Sequence, residues 1–459
     1  MSLDDIVNVQ ISKETASVSR TGFGVPLVLT YHTKDAARFL EFTDASDMLV
    51  AAGGPFASTD QAYILANAAF SQDPKPARVL VGRRINPTIR TVVLTPRSGL
   101  INGETLPLNL KLYRVTINGE NMDFTSDATA TVAEICTGLA AAINGGTQNV
   151  RATATATDVT VEKAVTPGGV ATAGEAFTIA YDRGLISAED TTPAAVGGGL
   201  ADEIAAIRNI TDDWYGIVGD WYGKIEILAV AAAIEGMPKL HCCAFPDDNA
   251  YDDAIVIDTG SALQAFGYAR TIDFHHKAPD KGIAAAELGK NLPKDPGSIT
   301  WKFKTLAGIE VMDYTPGEKT ALKNKNIERY INVAGNNFTC DGKTASGEYI
   351  DVTRFVDWLT ARLQENIFFR LKNLDKVSYT NSGVGIIENE VRGTLNQGIS
   401  IGGLAADPAF TVTVPDAVLG KPNSVSANDK ANRLLPNVEF CATLAGAIHE
   451  VEVRGKVTL

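Results

Sequence analysis

The chain opens on alternation. Val7, Val9 and Ile11 point one way and Asn8, Gln10 and Ser12 the other, which predicts a strand with one apolar face. Gly22-Phe23-Gly24 follows as a flexible joint. Beyond it the pattern predicts a strand over 27–31, helical pieces through 36–48 and 60–70, and a strand over 78–81. Ser58 and Thr59 offer N-caps for the second helix. This is the opening of an α/β domain.

Between about 86 and 190 the composition shifts to Thr, Ala, Gly and Val, with short β-like runs at 111–117 and 152–161. Asn118-Gly119 is a hairpin dipeptide, because both central positions of a type I′ turn need positive φ. One helix interrupts at 131–143, opened by Thr131 and Glu134 in capping-box spacing and carrying Val132, Ile135, Leu139 and Ile143 on one face. The segment reads as a small, mainly β insert.

From 201 to 306 strands alternate with helices: strands at 214–218, 239–245 and 270–275, helices at 225–234, 261–268 and 283–288. Such alternation predicts a mostly parallel sheet covered on both faces. The insert therefore interrupts one α/β body.

The longest helix signal follows. Val352, Val356, Leu359, Leu363, Ile367 and Leu371 recur at three- and four-residue steps, with Arg354, Asp357, Arg362 and Glu365 elsewhere on the wheel. This stripe is expected to lie against the sheet, as a structural spine. A second helix is expected over 384–395, ended by Gly398. After a Pro- and Asn-rich loop at 415–436, a β-hairpin is expected to turn near Gly446. Its last arm sets Val451, Val453, Val457 and Leu459 on one face against Glu450, Glu452, Arg454, Lys456 and Thr458. A strand at a chain tip frays unless it is tied down. It pairs either with its own sheet or with a neighbour's, where main-chain hydrogen bonds alone supply affinity.

Charge narrows the function. Lys+Arg is 41 and Asp+Glu 54, a net charge of −13 over 459 residues, which disfavours nucleic acid as a partner. The length allows about three folding units. Apolar residues at 45% and charged residues at 21% describe a globular protein. No run approaches the ~18 apolar residues of a membrane span, so no membrane insertion is expected. Met1-Ser2-Leu3-Asp4-Asp5 lacks the basic and apolar regions of a signal peptide, and the chain is expected to be made and kept in the cytosol unless something exports it. Cys136, Cys242, Cys243, Cys340 and Cys441 contain no C-x-x-C pair and read as reduced, mostly buried thiols.

No catalytic constellation emerges. Six residues separate Gly335 from Gly342 ahead of Lys343-Thr344, where a phosphate loop needs four; a β-hairpin turning at Asp341-Gly342 is the better reading. His241, Cys242, Cys243, His275 and His276 lie near the ends of two predicted strands and would suit zinc, but adjacent cysteines on a strand face opposite ways. Core thiols and a solvated histidine pair fit better. Asp247, Asp248, Asp252 and Asp253 read as a solvated acidic loop, and Trp214-Tyr215 with Trp221-Tyr222 as core anchors. G-x-S-x-G, H-E-x-x-H and G-x-G-x-x-G are all missing. No cofactor or metal is expected.

Several runs carry a resemblance instead: Leu292-Pro293-Lys294-Asp295-Pro296-Gly297-Ser298-Ile299-Thr300-Trp301-Lys302, Gly342-Lys343-Thr344-Ala345-Ser346-Gly347-Glu348-Tyr349-Ile350-Asp351, the helix at 358–368, and Asn432-Arg433-Leu434-Leu435-Pro436. Less sharply, Trp214-Tyr215-Gly216 and the N-terminal opening join them. In these the chain resembles the contractile tail sheath proteins of bacteriophages, the myovirus-type branch. The resemblance implies an α/β (α+β) core of 25–85 and 191–436, a mainly β outer insert at 86–190, an N-terminal arm at 1–24 and a C-terminal hairpin or arm at 437–459. It implies stacked hexameric rings around a tail tube, contraction that drives the tube through the host envelope, and no enzymatic activity. Val7, Val9, Ile11, Val451, Val453, Val457 and Leu459 would then exchange strands between subunits. Partners would be further copies, the tail tube protein, and baseplate and tail terminator proteins, in a virion tail assembled in the bacterial cytoplasm. Lys372, Lys376 and Arg392 are the candidates for facing the tube. The competing readings are a cytosolic α/β enzyme with a site near His275 and His276, and another tail protein of tube or baseplate.

Overall fold

Uninterrupted apolar runs form the middle of the body. The computed structural model describes residues 22–85, 89–101, 104–106, 108–173, 177–191 and 199–455. Val7, Val9, Ile11, Val457 and Leu459 lie outside the described residues. The first elements are Pro26–Tyr31 (β1), Phe39–Phe42 (β2), Gln61–Phe70 (α1) and Val79–Arg84 (β3). Residues 39–42 form an edge strand antiparallel to β3, not the expected helical piece. The N-cap of α1 is Asp60, whose carboxylate accepts from the Ala57 N–H, rather than Ser58 or Thr59.

The insert follows: Thr91–Pro96 (β4), Gly99–Ile101 (β5), Glu104–Leu106 (β6), Leu112–Ile117 (β7), Glu120–Thr125 (β8), Val132–Asn144 (α2), Val150–Ala154 (β9), Val159–Lys163 (β10), Ile179–Tyr181 (β11) and Ile186–Asp190 (β12). Antiparallel sheets of order β12-β4-β10-β9 and β11-β7-β8 pack with α2. Asn118 and Gly119 turn the β7–β8 hairpin at φ 46° and 88°, and the Thr131 hydroxyl accepts from the Glu134 N–H at the head of α2. Its core, including Val92, Tyr113, Ile135, Leu139 and Val161, draws on the insert alone.

The body resumes with Gly199–Arg208 (α3), Gly216–Gly219 (β13), Lys224–Glu235 (α4), Leu240–Phe245 (β14), Thr259–Phe266 (α5), Thr271–His275 (β15), Ile283–Asn291 (α6), Pro316–Asn324 (α7), Tyr330–Val333 (β16) and Asn336–Thr339 (β17). Its sheet has the order β15-β14-β13-β1-β3-β2. Every pairing is parallel except β2 with β3. The fold is mixed α/β, and Trp214, Trp221, Ile227 and Phe245 belong to its buried core.

Ile350–Asn373 (α8), Asn381–Ser400 (α9), Thr411–Thr413 (β18), Ala427–Ala431 (α10) and Glu439–Cys441 (β19) complete the elements. The described chain divides into two units inside α8: Phe23–Asp357 with Ile401–Leu404 and the residues from Leu444, and Trp358–Ser400 with Ala405–Thr443. The second unit pairs β18 with β19 antiparallel. Within it Asn366 Nδ2 donates to Thr394 Oγ1 at 2.9 Å, and Arg370 Nε to Glu390 Oε1 at 2.6 Å, tying α8 to α9. Helix α9 runs through the buried Gly398 to Ser400.

Two further expectations change. No strand occupies the described residues after 441, so the alternation at 450–455 is not the arm of a hairpin turning at Gly446. In the second unit the α8 stripe meets α9 and the 433–440 segment instead of the sheet, and Phe368, Phe369 and Leu371 stay exposed.

Candidate functional site

The residues with chemical potential are spent on the core. Cys242 and Cys243 are buried on β14. The Trp221 Nε1–H donates to His241 Nε2 at 3.0 Å. His275 Nδ1 lies 3.1 Å from the Tyr251 hydroxyl and 3.2 Å from that of Tyr314. His276 accepts from the Ala278 N–H at Nδ1, 3.1 Å, which leaves Nε2–H to donate to the Glu310 carbonyl at 3.0 Å. The pair is buried, not solvated. Among the described residues no three His, Cys, Asp or Glu side chains are arranged to hold a metal ion.

These imidazoles make the fold acid-sensitive. Burial pushes His241 from 6.5 to about 3, and burial, then the Arg83 charge, pushes His32 to about 4. Both stay neutral in the folded chain while the unfolded chain takes up protons. Stability is therefore complete above the unfolded value and is lost as pH falls from 6.5 toward those folded values, by ~1.4 kcal/mol per pH unit for each group. The expected result is a thermal midpoint that drops steeply between pH 6.5 and pH 4, with a shallower drop in His241→Met; an identical slope in that variant would contradict the assignment.

The false phosphate loop is already filled from within. The β16–β17 hairpin turns at Ala334-Gly335, φ 52° and 83°, and not at Asp341-Gly342. The buried Glu328 carboxylate accepts from the N–H groups of Arg329 (2.9 Å), Cys340 (2.7 Å), Asp341 (3.0 Å) and Gly342 (2.5 Å). These are the donors an anion would use.

The acidic segment is solvated only in its second half: Asp252 and Asp253 are exposed, whereas Asp247 is buried and Asp248 is engaged. Asp247 accepts from the N–H groups of Asn249 and Thr259, and Asp252 from that of Ala254. Asp248 pairs with Arg97 at 2.6 Å and Arg183 at 3.6 Å, both from the insert. Arg183 also reaches Glu318 at 3.1 Å and sits 4.0 Å over the Tyr251 ring. Guanidinium groups thus fasten the insert to the body, an attachment no spacing in the sequence marks.

The family-like run that starts at Leu292 is gathered onto one residue. Arg354, buried in the first turns of α8, donates to the carbonyls of Phe23 (3.0 Å), Asn291 (3.1 Å), Leu292 (2.7 Å) and Lys294 (2.7 Å). Next to it Asp357 accepts from the Tyr215 hydroxyl at 2.8 Å and pairs with Arg270 at 2.7 Å. Trp214, Tyr215, Trp221, Tyr222 and Trp301 are all buried.

What remains on the surface is suited to contact, not chemistry. After Leu444, which bridges to Leu404, the chain is anchored by His449, whose Nε2 lies 2.7 Å from Thr300 Oγ1 and whose ring meets the edge of Tyr349. Val451 and Val453 then stand exposed without a β-partner among the described residues. Lys372 and Lys376 are exposed, whereas Arg392 is held by Glu388 at 2.7 Å.

Residues 350–409 match the family model of the E217 tail sheath protein gp31-like, C-terminal domain. No curated protein matches the chain. Among solved structures it is similar to the sheath of PVC, an extracellular contractile injection system, in the contracted state: 11% identity, 98% of this chain and 96% of that one covered, TM-score 0.52. The contracted helical sheath of the anti-feeding prophage gives 11%, 100% and 99%, and 0.51. A sheath tail protein from Desulfitobacterium hafniense gives 12%, 89% and 93%, and 0.45. A tail sheath model thus matches the whole of α8 and α9, and the chain shares the fold of two contracted sheath proteins along nearly its whole length.

Proposed function

We propose that the chain is a structural sheath subunit that polymerises as stacked hexameric rings around a tail tube and contracts to drive the tube through a host envelope. The observation that carries this reading is the alternating C-terminal segment, whose Val451 and Val453 project into solvent with no strand of their own chain beside them. An arm that finishes a neighbour's β-layer explains both the alternation and the missing partner. Val457 and Leu459 continue it, and Val7, Val9 and Ile11 supply the opposite arm. The free edges of the β18–β19 pair offer a place for such a strand.

On this reading 25–85 and 191–436 form the sheath core, 86–190 the outer domain, and 1–24 and 437–459 the arms. Contraction is a rigid-body rearrangement of subunits about flexible links, from a metastable extended array to one with more buried contact. Lys372 and Lys376 face the tube; Arg392, committed to Glu388, contributes less. Baseplate and tail terminator proteins bound the stack, which is assembled in the bacterial cytoplasm and works in the virion tail.

Negative-stain microscopy tests it. Purified chain at high concentration is expected to form wide, hollow, helically striated tubes, and chains lacking 1–20 or 447–459 are expected to stay monomeric. Long tubes from either truncation would remove strand exchange from the reading; a full chain that stays solitary would remove the sheath.

A further inference from the structure

Two buried apolar cores that share no residue make the insert and the body separate in packing: Val92, Tyr113, Ile135 and Val161 belong to one, Leu27, Trp214, Ile227 and Phe245 to the other. The side chains that join them are polar and aromatic, and they fall into two groups.

The first group forms the neck. The chain enters the insert along β4 and leaves it along β12, and these strands run side by side, Val92 opposite Asp190. Arg90 Nε reaches Asp190 Oδ2 at 3.1 Å, with side-chain exposures of only 5% and 1%. The same guanidinium sits 4.6 Å over the ring of Tyr222 in the body. The two crossings are thus tied to each other and to the body at one buried point.

The second group lies at the far end of the same ribbon. From Thr91 to Arg97 the strand runs six residue steps, ~20 Å. There Arg97 and Arg183 grip Asp248, and Arg183 also reaches Glu318, the Asp313 carbonyl at 3.2 Å and the ring face of Tyr251. Arg97, Arg183 and Glu318 keep side-chain exposures of 20%, 19% and 22%, so solvent reaches this end and not the neck. Arg97 Nε and the Tyr181 hydroxyl, both buried beside these charges, find no hydrogen-bond partner among the described residues. A closed core leaves few such groups, whereas a polar interface between domains that move against each other tolerates them.

We propose that the insert is a hinged module: the strands tied at Arg90 and Asp190 are its pivot, and Arg97 and Arg183, gripping Asp248, Glu318 and Tyr251, are a charge latch that holds it against the body. Partly exposed ion pairs are weak singly and are screened by salt. Acting ~20 Å from the pivot, they set the angle of the insert, while either core is complete without them. The device belongs to a single chain and stands apart from the sheath reading.

Pulsed electron paramagnetic resonance tests it on the full chain. Spin labels are attached at Ala156→Cys in the insert and Ala232→Cys on α4, both exposed positions, in a Cys441→Ser chain whose four other cysteines are buried. Labelled chain is diluted into unlabelled chain, so that only distances within one molecule are read. One narrow distance is expected at low salt. A second, displaced population is expected in Arg97→Gln with Arg183→Gln, and in the unsubstituted latch at ~1 M salt, where the Debye length falls to ~3 Å. Glu318→Gln, which removes one partner, is expected to add less of it. A displaced population in any of the three, with far-ultraviolet circular dichroism unchanged, supports the latch; a single unchanged distance in all three overturns it. The same displacement in Arg114→Gln, whose partner Asp123 lies within the insert, also overturns it, because these pairs would then not be what sets the angle. If the double variant loses its circular dichroism, Glu318→Gln and the salt comparison decide.

Discussion

Replacing Arg354 with leucine is expected to destabilise the body by ~3–5 kcal/mol, a loss of thermal midpoint on the order of 10 °C. The guanidinium is buried and donates to four backbone carbonyls, from Phe23, Asn291, Leu292 and Lys294. Among the described residues no carboxylate pairs with it, and burial pulls its pKa from 12.5 down to about 10. Taking that charge out of water is unfavourable by several kcal/mol. Charge-assisted hydrogen bonds contribute ~1.5–3 kcal/mol each, so four of them exceed the desolvation, and deleting the donor strands the carbonyls with no water to replace it. Arg354→Lys is expected to fall between, because an ammonium offers only three donors from a single point. A leucine variant within ~1 kcal/mol of the parent in denaturant titration would show the four bonds to be incidental.

This clamp shows what kind of information the sequence holds. The run from Leu292 to Lys302 was legible as a family-like signature, yet its physical content, carbonyls gathered onto one arginine of α8, depends on packing that no spacing reveals. Strands β1, β13 and β14 were legible because a central parallel strand is apolar on both faces. The edge strand β2 was not: Phe39-Leu40-Glu41-Phe42 fits either period, and only its pairing with β3 decides. The Asn118-Gly119 turn could be read because both residues tolerate positive φ, but Ala334 at φ 52° breaks that preference and hid the turn of β16–β17. The C-terminal alternation was plain, but no strand of the described residues lies beside it, so the period alone named no partner. The α8 stripe was read as lying on the sheet, because periodicity gives the apolar face of a helix and not what packs on it.

Lys325→Met is expected to be as damaging as the loss of Arg354, by ~3–5 kcal/mol. The buried ammonium lies 2.8 Å from Asp258 Oδ2 and donates to the carbonyls of Asp252 (2.8 Å), Ile255 (2.8 Å) and Asn249 (3.4 Å). The loop ahead of α5 is thus folded around a cation that the chain itself supplies. Asp258 does double duty, accepting from the Ser261 N–H at 2.9 Å to cap that helix. Methionine fills the stem but leaves a fully buried carboxylate without its counter-charge and three carbonyls without a donor. Asp258→Asn alone inverts the fault, stranding the ammonium and weakening the cap. Combining the two removes both charges, so the double variant is expected to lose less than the sum of the singles by ~1–3 kcal/mol, read from urea unfolding of all four chains. Strict additivity would mean that the carbonyl cage, and not the ion pair, holds the loop; in that case Lys325→Arg, with more donors than the cage can accept, should be tolerated worse than methionine.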